Sequence, residues 1–221
     1  MLPDLPQTEI AIVEMTNAFR KENRLGALKP NAALAAAARG FAEYLAKSGK
    51  FAHQADGREP QQRAEAQGYR YCLVAENLAM NLDSRGFESR QLAREAVEGW
   101  KDSPGHRANM LQAGVTEIGV AVARAPDKNP KFISVQLFGR PDSLKIKFSV
   151  ENRTGAALRY ALGEEAHTLP ARTIVTHTMC DHRPLTFEKA AAGARFDLRD
   201  GDRFTARAGT AGSVEVKRER K

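Results

Sequence analysis

Three side chains of this sequence, His53, Glu76 and His106, are of the types that bind a divalent metal or transfer a proton. Two neutral imidazoles and a carboxylate can hold a zinc ion and leave one coordination position open, as metal-assisted hydrolysis requires. Each of the three is more than 20 residues from the next. Zinc motifs on a single helix or strand use spacings of roughly three to five residues. Spacing alone therefore does not predict a metal site here.

Other catalytic signatures are missing from the sequence, which has no glycine-rich phosphate loop, no nucleophile elbow and no HExxH motif. His177 and His182 flank Cys180, and such a cluster invites a zinc interpretation. With one cysteine and no second cluster, we expect these histidines to occupy strand and turn positions instead. The sequence leaves open a catalytic pair made of a cysteine and a distant histidine that come together only in the folded structure.

Five motifs in a fixed order carry more information than any single residue. The central one is WKDSPGHRANML, from Trp100 to Leu111; FAH (51–53) and AENLA (75–79) precede it, and EIGVAVA (117–123) and ISVQLFG (133–139) follow it. Together they resemble the CAP superfamily, or SCP domains, the group of cysteine-rich secretory proteins, venom antigens and plant pathogenesis-related proteins. The bacterial branch is the most similar. The resemblance covers roughly residues 8 to 140.

The resemblance implies a central cleft that contains His53, Glu76 and His106 as candidate catalytic residues and as candidate ligands of a divalent metal such as zinc. It also implies four residues that line the cleft: Asn77, Ser103, Arg107 and Asn109. Many members carry a second glutamate three residues after the tryptophan, and here that position is Ser103, a poor metal ligand. We therefore expect three protein ligands rather than four. The alternative is a polar network that only holds helices to sheet, with Glu76 accepting hydrogen bonds.

Periodicity predicts the elements that must position these residues. Apolar spacing of three and four predicts helices from Thr8 to about Arg24, from Asn31 to Gly49, over about 60–67 and over about 88–102. Pro104 ends the last helix and should present His106 at a turn. Residues 69–82 are ambiguous between strand and helix, and two strands are predicted at 117–124 and 131–139. Helices that cover a sheet give an α+β class; the resemblance implies an α-β-α sandwich.

Near Pro141 the pattern changes to eight short segments with alternating side chains, separated by turns. Such spacing predicts a small β-sandwich or barrel. We therefore predict two domains, a CAP-like α-β-α sandwich at 1–141 and a small basic β domain at 142–221.

Charge is distributed unevenly between the two parts. Residues 1–142 carry 19 Lys and Arg against 17 Asp and Glu, a net charge of +2, whereas residues 143–221 carry 15 against 10, a net charge of +5. This excess would favour an anionic partner such as anionic lipid or an acidic cell-wall polymer, and general solubility is the alternative. We expect no nucleic-acid partner, because no Lys/Arg run or RNA-binding aromatic signature accompanies the charge.

The two cysteines and the N-terminal sequence give information about the cellular compartment of the protein. Cys72 and Cys180 could form a bridge between the domains in an oxidising compartment, or could both be buried thiols. No apolar run approaches the ~20 residues of a membrane span, and the N-terminus lacks the basic start and apolar core of a signal peptide. Taken literally, the chain would be cytosolic. Because members of the resembled family are exported, we expect a periplasmic or extracellular protein whose leader has been removed.

These observations predict an exported, non-catalytic binding module for a lipid, cell-wall or protein ligand, acting through a His/Glu cleft and a basic β domain. One alternative is a metal-assisted hydrolase of peptide or cell-wall bonds, with His53 and His106 as ligands and Glu76 as ligand or general base. The other is a structural protein of the envelope whose β domain docks a protein partner. Proteins that share a fold can have different functions, so the fold alone does not decide among these three functions.

Overall fold

A computed structural model describes residues 1–181, 183–190 and 194–220 of the chain. The chain divides into two compact units, Met1–Ser143 and Leu144–Lys221. The boundary predicted from the sequence lies between residues 141 and 142. Among the described residues, no helix is long and apolar enough to cross a membrane.

The N-terminal unit contains five helices and four strands among the residues described. Its helices are α1 (Leu5–Glu22), α2 (Ala32–Ser48), α3 (Pro60–Ala66), α4 (Ser89–Asp102) and α5 (Pro104–Met110). Its strands are β1 (Lys29–Pro30), β2 (Tyr71–Leu82), β3 (Glu117–Ala125) and β4 (Lys131–Pro141). They form one sheet in the order β1-β3-β4-β2, in which β1 runs parallel to β3 and the other pairs are antiparallel.

Helices cover both faces of this sheet, which confirms the predicted α-β-α sandwich. Alternate residues of a strand point to opposite faces, so Ile118, Val120 and Val122 of β3 pack with α1 and α4, whereas Ala121 and Ala123 pack with α2. On β3 the face toward α2 carries only small side chains, and the helix lies very close to this strand. A Cβ on Gly119 would lie 2.2 Å from the carbonyl carbon of Leu34.

Capping residues explain both boundaries of α2 and the start of α1. Asn31 caps α2 by accepting hydrogen bonds from the next backbone amides, and Gly49 ends it in the left-handed conformation, as predicted. The predicted start of the first helix was wrong. Asp4, not Thr8, caps α1, because its carboxylate accepts from Gln7 N at 2.8 Å; the Thr8 hydroxyl instead donates to the Asp4 carbonyl inside the helix.

The prediction of a turn at His106 was also wrong. Pro104 does end α4, but it occupies the first position of a new helix, α5, with Ser103 as its N-cap residue. Proline tolerates that position because the first helical N–H has no intrahelical partner. The ambiguous stretch at 69–82 is the strand β2. The two-residue β1 was missed because a pairing of that length leaves no periodic pattern.

The C-terminal unit is all-β within the residues described. Its strands are β5 (Ile146–Arg153), β6 (Leu158–Leu162), β7 (Glu165–Leu169), β8 (Ile174–Met179), β9 (Leu185–Phe187), β10 (Arg195–Phe196), β11 (Arg203–Ala208) and β12 (Val214–Glu219). They form two sheets, with orders β10-β9-β6-β7 and β12-β11-β5-β8. Aromatic and aliphatic side chains of both sheets share one core, in which Phe148, Phe187 and Phe204 meet. The predicted β-sandwich is confirmed.

Candidate functional site

Glu76 lies in the middle of β2, and its carboxylate is buried beneath the loop that carries His53. The side chain of Glu76 is 1% exposed, whereas that of His53 is 51% exposed. His53 Nδ1 lies 2.8 Å from Glu76 Oε1. This contact orients the His53 ring, and with Glu76 ionised the Nδ1 atom is the donor, because an ionised carboxylate only accepts hydrogen bonds.

Arg63 of α3 holds the other oxygen of the same carboxylate. One of its terminal nitrogens donates to Glu76 Oε2 at 2.8 Å and to the carbonyl of His53 at 3.0 Å. The second donates to Asp56 Oδ1 at 2.9 Å and to the carbonyl of Arg58 at 2.7 Å. The guanidinium therefore ties the loop at 53–58 to the acid in β2.

Burial raises the pKa of Glu76 above its ordinary value, while the charges of Arg63 and His53 and their hydrogen bonds to the carboxylate act in the opposite direction. Burial also lowers the pKa of His106, and the charge of His53 lowers it further. The His106 ring is therefore neutral at neutral pH. The backbone of His106 lies at the same strand as Glu76, because its carbonyl accepts a hydrogen bond from Asn77, the residue after Glu76.

The next residue of β2, Asn77, points to the opposite face of the sheet and forms a separate network. Its amide donates to the carbonyl of His106 at 3.1 Å and to Gln136 Oε1 at 3.1 Å, and its oxygen accepts from Asn109 at 2.9 Å. Gln136 donates in turn to the hydroxyl of Thr16 at 2.8 Å. This chain of buried amides fixes α5 against the sheet.

β2 lies at the edge of the sheet, and side chains of α4 and α5 cover its outward carbonyls. Asn109 donates to the carbonyl of Glu76 at 3.1 Å, and the indole of Trp100 donates to the carbonyl of Leu78 at 2.9 Å. An uncovered edge strand exposes such groups to pairing with other chains. The WKDSPGHRANML segment therefore closes the edge of the sheet and places His106 beside β2.

The other two predicted cleft residues, Ser103 and Arg107, make their contacts with helices. Ser103 is half-buried, and its backbone carbonyl accepts from Arg107 N. The exposed Arg107 side chain reaches back to α4 and α1: its guanidinium lies 3.4 Å from the carbonyl of Lys101 and 5.0 Å from the ring centre of Phe19. These contacts attach α5 to the helices rather than to Glu76.

The residues around Glu76 do not fit a divalent metal as they are arranged. Both carboxylate oxygens are taken, one by His53 and one by the guanidinium of Arg63. No group of three or more His, Cys, Asp or Glu side chains in the described part of the chain could hold a metal ion. Metal binding by His53, Glu76 and His106 stays a prediction, and so does the bridge between Cys72 and Cys180.

Sequence reasoning missed Arg63 and Gln136. Arg63 lies in PQQRAEA, a polar helix in which a buried arginine looks like any exposed one. Gln136 had a visible signal, because it interrupts the apolar strand ISVQLFG at a position that points into the core. A polar residue inside an apolar strand predicts a buried hydrogen-bond partner.

The comparison with known families concerns the N-terminal unit. The profile of the cysteine-rich secretory protein family, CAP, matches residues 13–138. The chain belongs to the CAP family. Residues 13–138 include every helix and strand that surrounds Glu76 except the beginning of α1 and the last residues of β4.

Bacterial proteins are among the similar CAP sequences and structures. YkwD of Bacillus subtilis (strain 168) is 30% identical over 113 residues, which are 51% of this chain and 41% of YkwD. An extracellular SCP-domain protein of Bacillus anthracis is 26% identical, with a TM-score of 0.51, over 62% of this chain and 41% of that one. An outer surface protein of Borrelia burgdorferi is 23% identical, with a TM-score of 0.51, over 59% of this chain and 90% of that one; it shows the fold alone. This chain thus spans less than half of YkwD.

The C-terminal unit, outside the CAP match, contains its own histidine cluster. His177 of β8 lies 2.8 Å from the hydroxyl of Tyr160 through Nε2, and its ring centre is 5.2 Å from that of His167. His177 occupies a strand position, as predicted from the sequence, and His167 lies in β7; His182, the other histidine of that prediction, lies outside the described residues. Burial lowers the pKa of His177, the charge of His167 lowers it further, and Glu165 opposes them.

We therefore expect the C-terminal unit to become less stable as the pH falls. The unfolded chain binds a proton at the ordinary histidine pKa of 6.5, whereas folded His177 binds one only at lower pH. The contribution to stability is complete above pH 6.5 and is lost as the pH falls from there through the lowered folded pKa. His177→Gln, which keeps a hydrogen-bonding side chain but cannot titrate, should lose less stability between neutral pH and about pH 5. Urea unfolding of the full chain, followed by amide NMR signals of residues 144–220, measures this; an unchanged pH slope in the variant would contradict it.

Proposed function

We propose that this chain is an exported binding protein of the bacterial CAP type, and that the outer face of its C-terminal sheet binds an anionic cell-wall polymer. The outer face is the set of side chains on β5, β8, β11 and β12 that point away from the core shared by the two sheets. Its charged members are Lys147, Arg153, Arg203, Arg207 and Lys217, together with Glu151, Glu215 and Glu219.

One observation carries the proposal: Arg153 and Arg207 lie directly opposite each other in the register of β5 and β11, and both are exposed. β5 and β11 run parallel, and two like charges at neighbouring positions on one face of a sheet repel each other. Glu215 of β12 lies opposite Arg207 on its other side and offsets part of this repulsion. An anionic ligand that lies across both guanidiniums would remove this repulsion. Arg153 is offset in part by Glu151, whose carboxylate lies 2.6 Å from its Nε.

The same face favours a water-soluble polymer over a lipid bilayer. Threonines and charged residues occupy most outward positions, and Ile174, 65% exposed, is the one large hydrophobic side chain among its described members. A single exposed aliphatic side chain offers little area for insertion into a bilayer. Export is supported by the extracellular bacterial protein to which the CAP unit is similar.

The double substitution Arg153→Gln/Arg207→Gln should weaken polymer binding by roughly 5- to 30-fold, because each exposed arginine near an anionic surface contributes on the order of 1 kcal/mol. The affinity of the native chain should fall as salt rises, since the attraction between exposed charges is screened. Sedimentation of the full chain with a phosphate-containing wall polymer measures both effects.

A matched control is the pair Arg94→Gln/Arg124→Gln, which removes the same charge from exposed positions of the N-terminal unit. If this control weakens binding equally, net charge and not the outer face is responsible. Binding to anionic phospholipid vesicles but not to the polymer would favour a lipid ligand. Binding to neither, at any salt concentration, would remove the polyanion proposal and leave a protein partner of the envelope.

A second candidate, a hydrolase, is favoured by the geometry of His53 alone. Glu76 orients the ring through Nδ1, and the ring is half exposed, so its other nitrogen can accept a proton from a water molecule. If the cleft is catalytic, the full chain should cleave a peptide or peptidoglycan substrate, and His53→Gln should abolish cleavage without a change in melting temperature. Activity that survives this substitution would exclude His53 as the base.

A further inference from the structure

We infer that Arg63 is the resident cation of the CAP cleft: its guanidinium compensates the charge of Glu76 and excludes a divalent metal from the site. The inference does not depend on the wall-polymer proposal, because the two concern different units.

The charge of Glu76 is already balanced within the protein. A buried carboxylate needs a cation or several hydrogen-bond donors, and Glu76 has the guanidinium of Arg63 at 2.8 Å and the ring of His53 at 2.8 Å. A divalent ion at the same oxygens would have to replace one of these donors. It would also lie close to a permanent positive charge, which raises its free energy in the site.

Arg63 is held so that it cannot easily leave. The side chain is 4% exposed and its guanidinium carbon lies 3.5 Å above the ring centre of Phe41. Its terminal nitrogens also donate to Asp56 and to the backbone carbonyls of His53 and Arg58. Swinging the guanidinium out would break these bonds together and release the loop at 53–58.

Without the guanidinium, the cleft would have the composition of a zinc site. Glu76 would keep His53 beside it, and α5, whose Asn109 donates to the carbonyl of Glu76 at 3.1 Å, carries the second imidazole, His106, at the same strand. A carboxylate and two neutral imidazoles are zinc ligands. Removing the guanidinium would thus free the Glu76 carboxylate, the ligand around which the two imidazoles would have to assemble.

The test is a zinc titration of the full chain, followed by the side-chain NMR signals of His53 and His106. For the native protein we expect no zinc-dependent change in these signals. Arg63→Met should gain zinc affinity at this site by about 10- to 100-fold, the scale on which residues around a metal site act. Adding Glu76→Gln to that variant should abolish the gain. Arg63→Lys, which keeps the positive charge, should not gain zinc binding, nor should Arg39→Met, which breaks an arginine–glutamate pair elsewhere in the same unit.

Two results would overturn the inference. One is native protein in which zinc shifts the His53 and His106 signals and in which Glu76→Gln removes the shift. The other is a folded Arg63→Met variant that gains no zinc affinity. If Arg63→Met does not fold, the native titration decides alone, because it reports directly whether the cleft accepts zinc while Arg63 is present.

Discussion

Replacing Arg63 with methionine is expected to lower the free energy of unfolding of the N-terminal unit by about 3–5 kcal/mol, because the substitution leaves the buried Glu76 carboxylate without its guanidinium partner. Methionine keeps most of the contact with Phe41, so the loss reports charge and hydrogen bonding rather than a cavity. The single tryptophan, Trp100, is buried in this unit, and its fluorescence in a urea titration therefore follows the unfolding of this unit.

A double-mutant cycle separates the ion pair from the other contacts of Arg63. Glu76→Gln should destabilise the Arg63→Met background much less than it destabilises the native protein, since the two substitutions remove one interaction. Arg39→Met is the matched control: its partner is Glu9, its side chain is 39% exposed, and exposed pairs contribute up to about 1 kcal/mol. If Arg63→Met lowers the free energy of unfolding no more than Arg39→Met does, the pair between Arg63 and Glu76 does not stabilise the fold.

Replacing Trp100 with alanine is expected to cost about 3–5 kcal/mol, the usual range for a large aromatic side chain removed from a core. Trp100 is 1% exposed, packs in the core between α1, α4 and the sheet, and donates its indole hydrogen to Leu78 of the edge strand. The variant therefore loses both core volume and the cover of β2 next to Glu76. Urea unfolding followed by circular dichroism measures the loss, since the fluorophore is removed.

Trp100→Phe distinguishes the two contributions. Phenylalanine fills most of the same space but cannot donate to the Leu78 carbonyl, and an unpaired buried polar group costs about 1–3 kcal/mol. Phe51→Ala is the control, because Phe51 is an aromatic residue of the same unit that is 42% exposed. If Trp100→Ala lowers the free energy of unfolding no more than Phe51→Ala does, the packing of Trp100 does not stabilise the core.

These two residues also show how far the sequence predicts the site. Trp100 was recognisable, because it lies at the apolar positions of a periodic helix and in a motif that resembles a known family. Arg63 was not, because its short helix is mostly polar and its partner lies in a different element. The family resemblance indicated His53, Glu76 and His106 but not the cation between the loop and the acid.

The amino-acid sequence by itself determined the two-part organisation, the class of each part and most element boundaries, since these depend on local periodicity and on capping residues such as Asn31 and Gly49. Only the tertiary structure decided the chemistry of the cleft. Adjacent residues of a strand face opposite sides of a sheet, so Glu76 meets Arg63 on one side while Asn77 meets Gln136 on the other. Whether a carboxylate binds a metal or a guanidinium depends on which distant side chain packs against it, and periodicity along the chain carries no information about that distance.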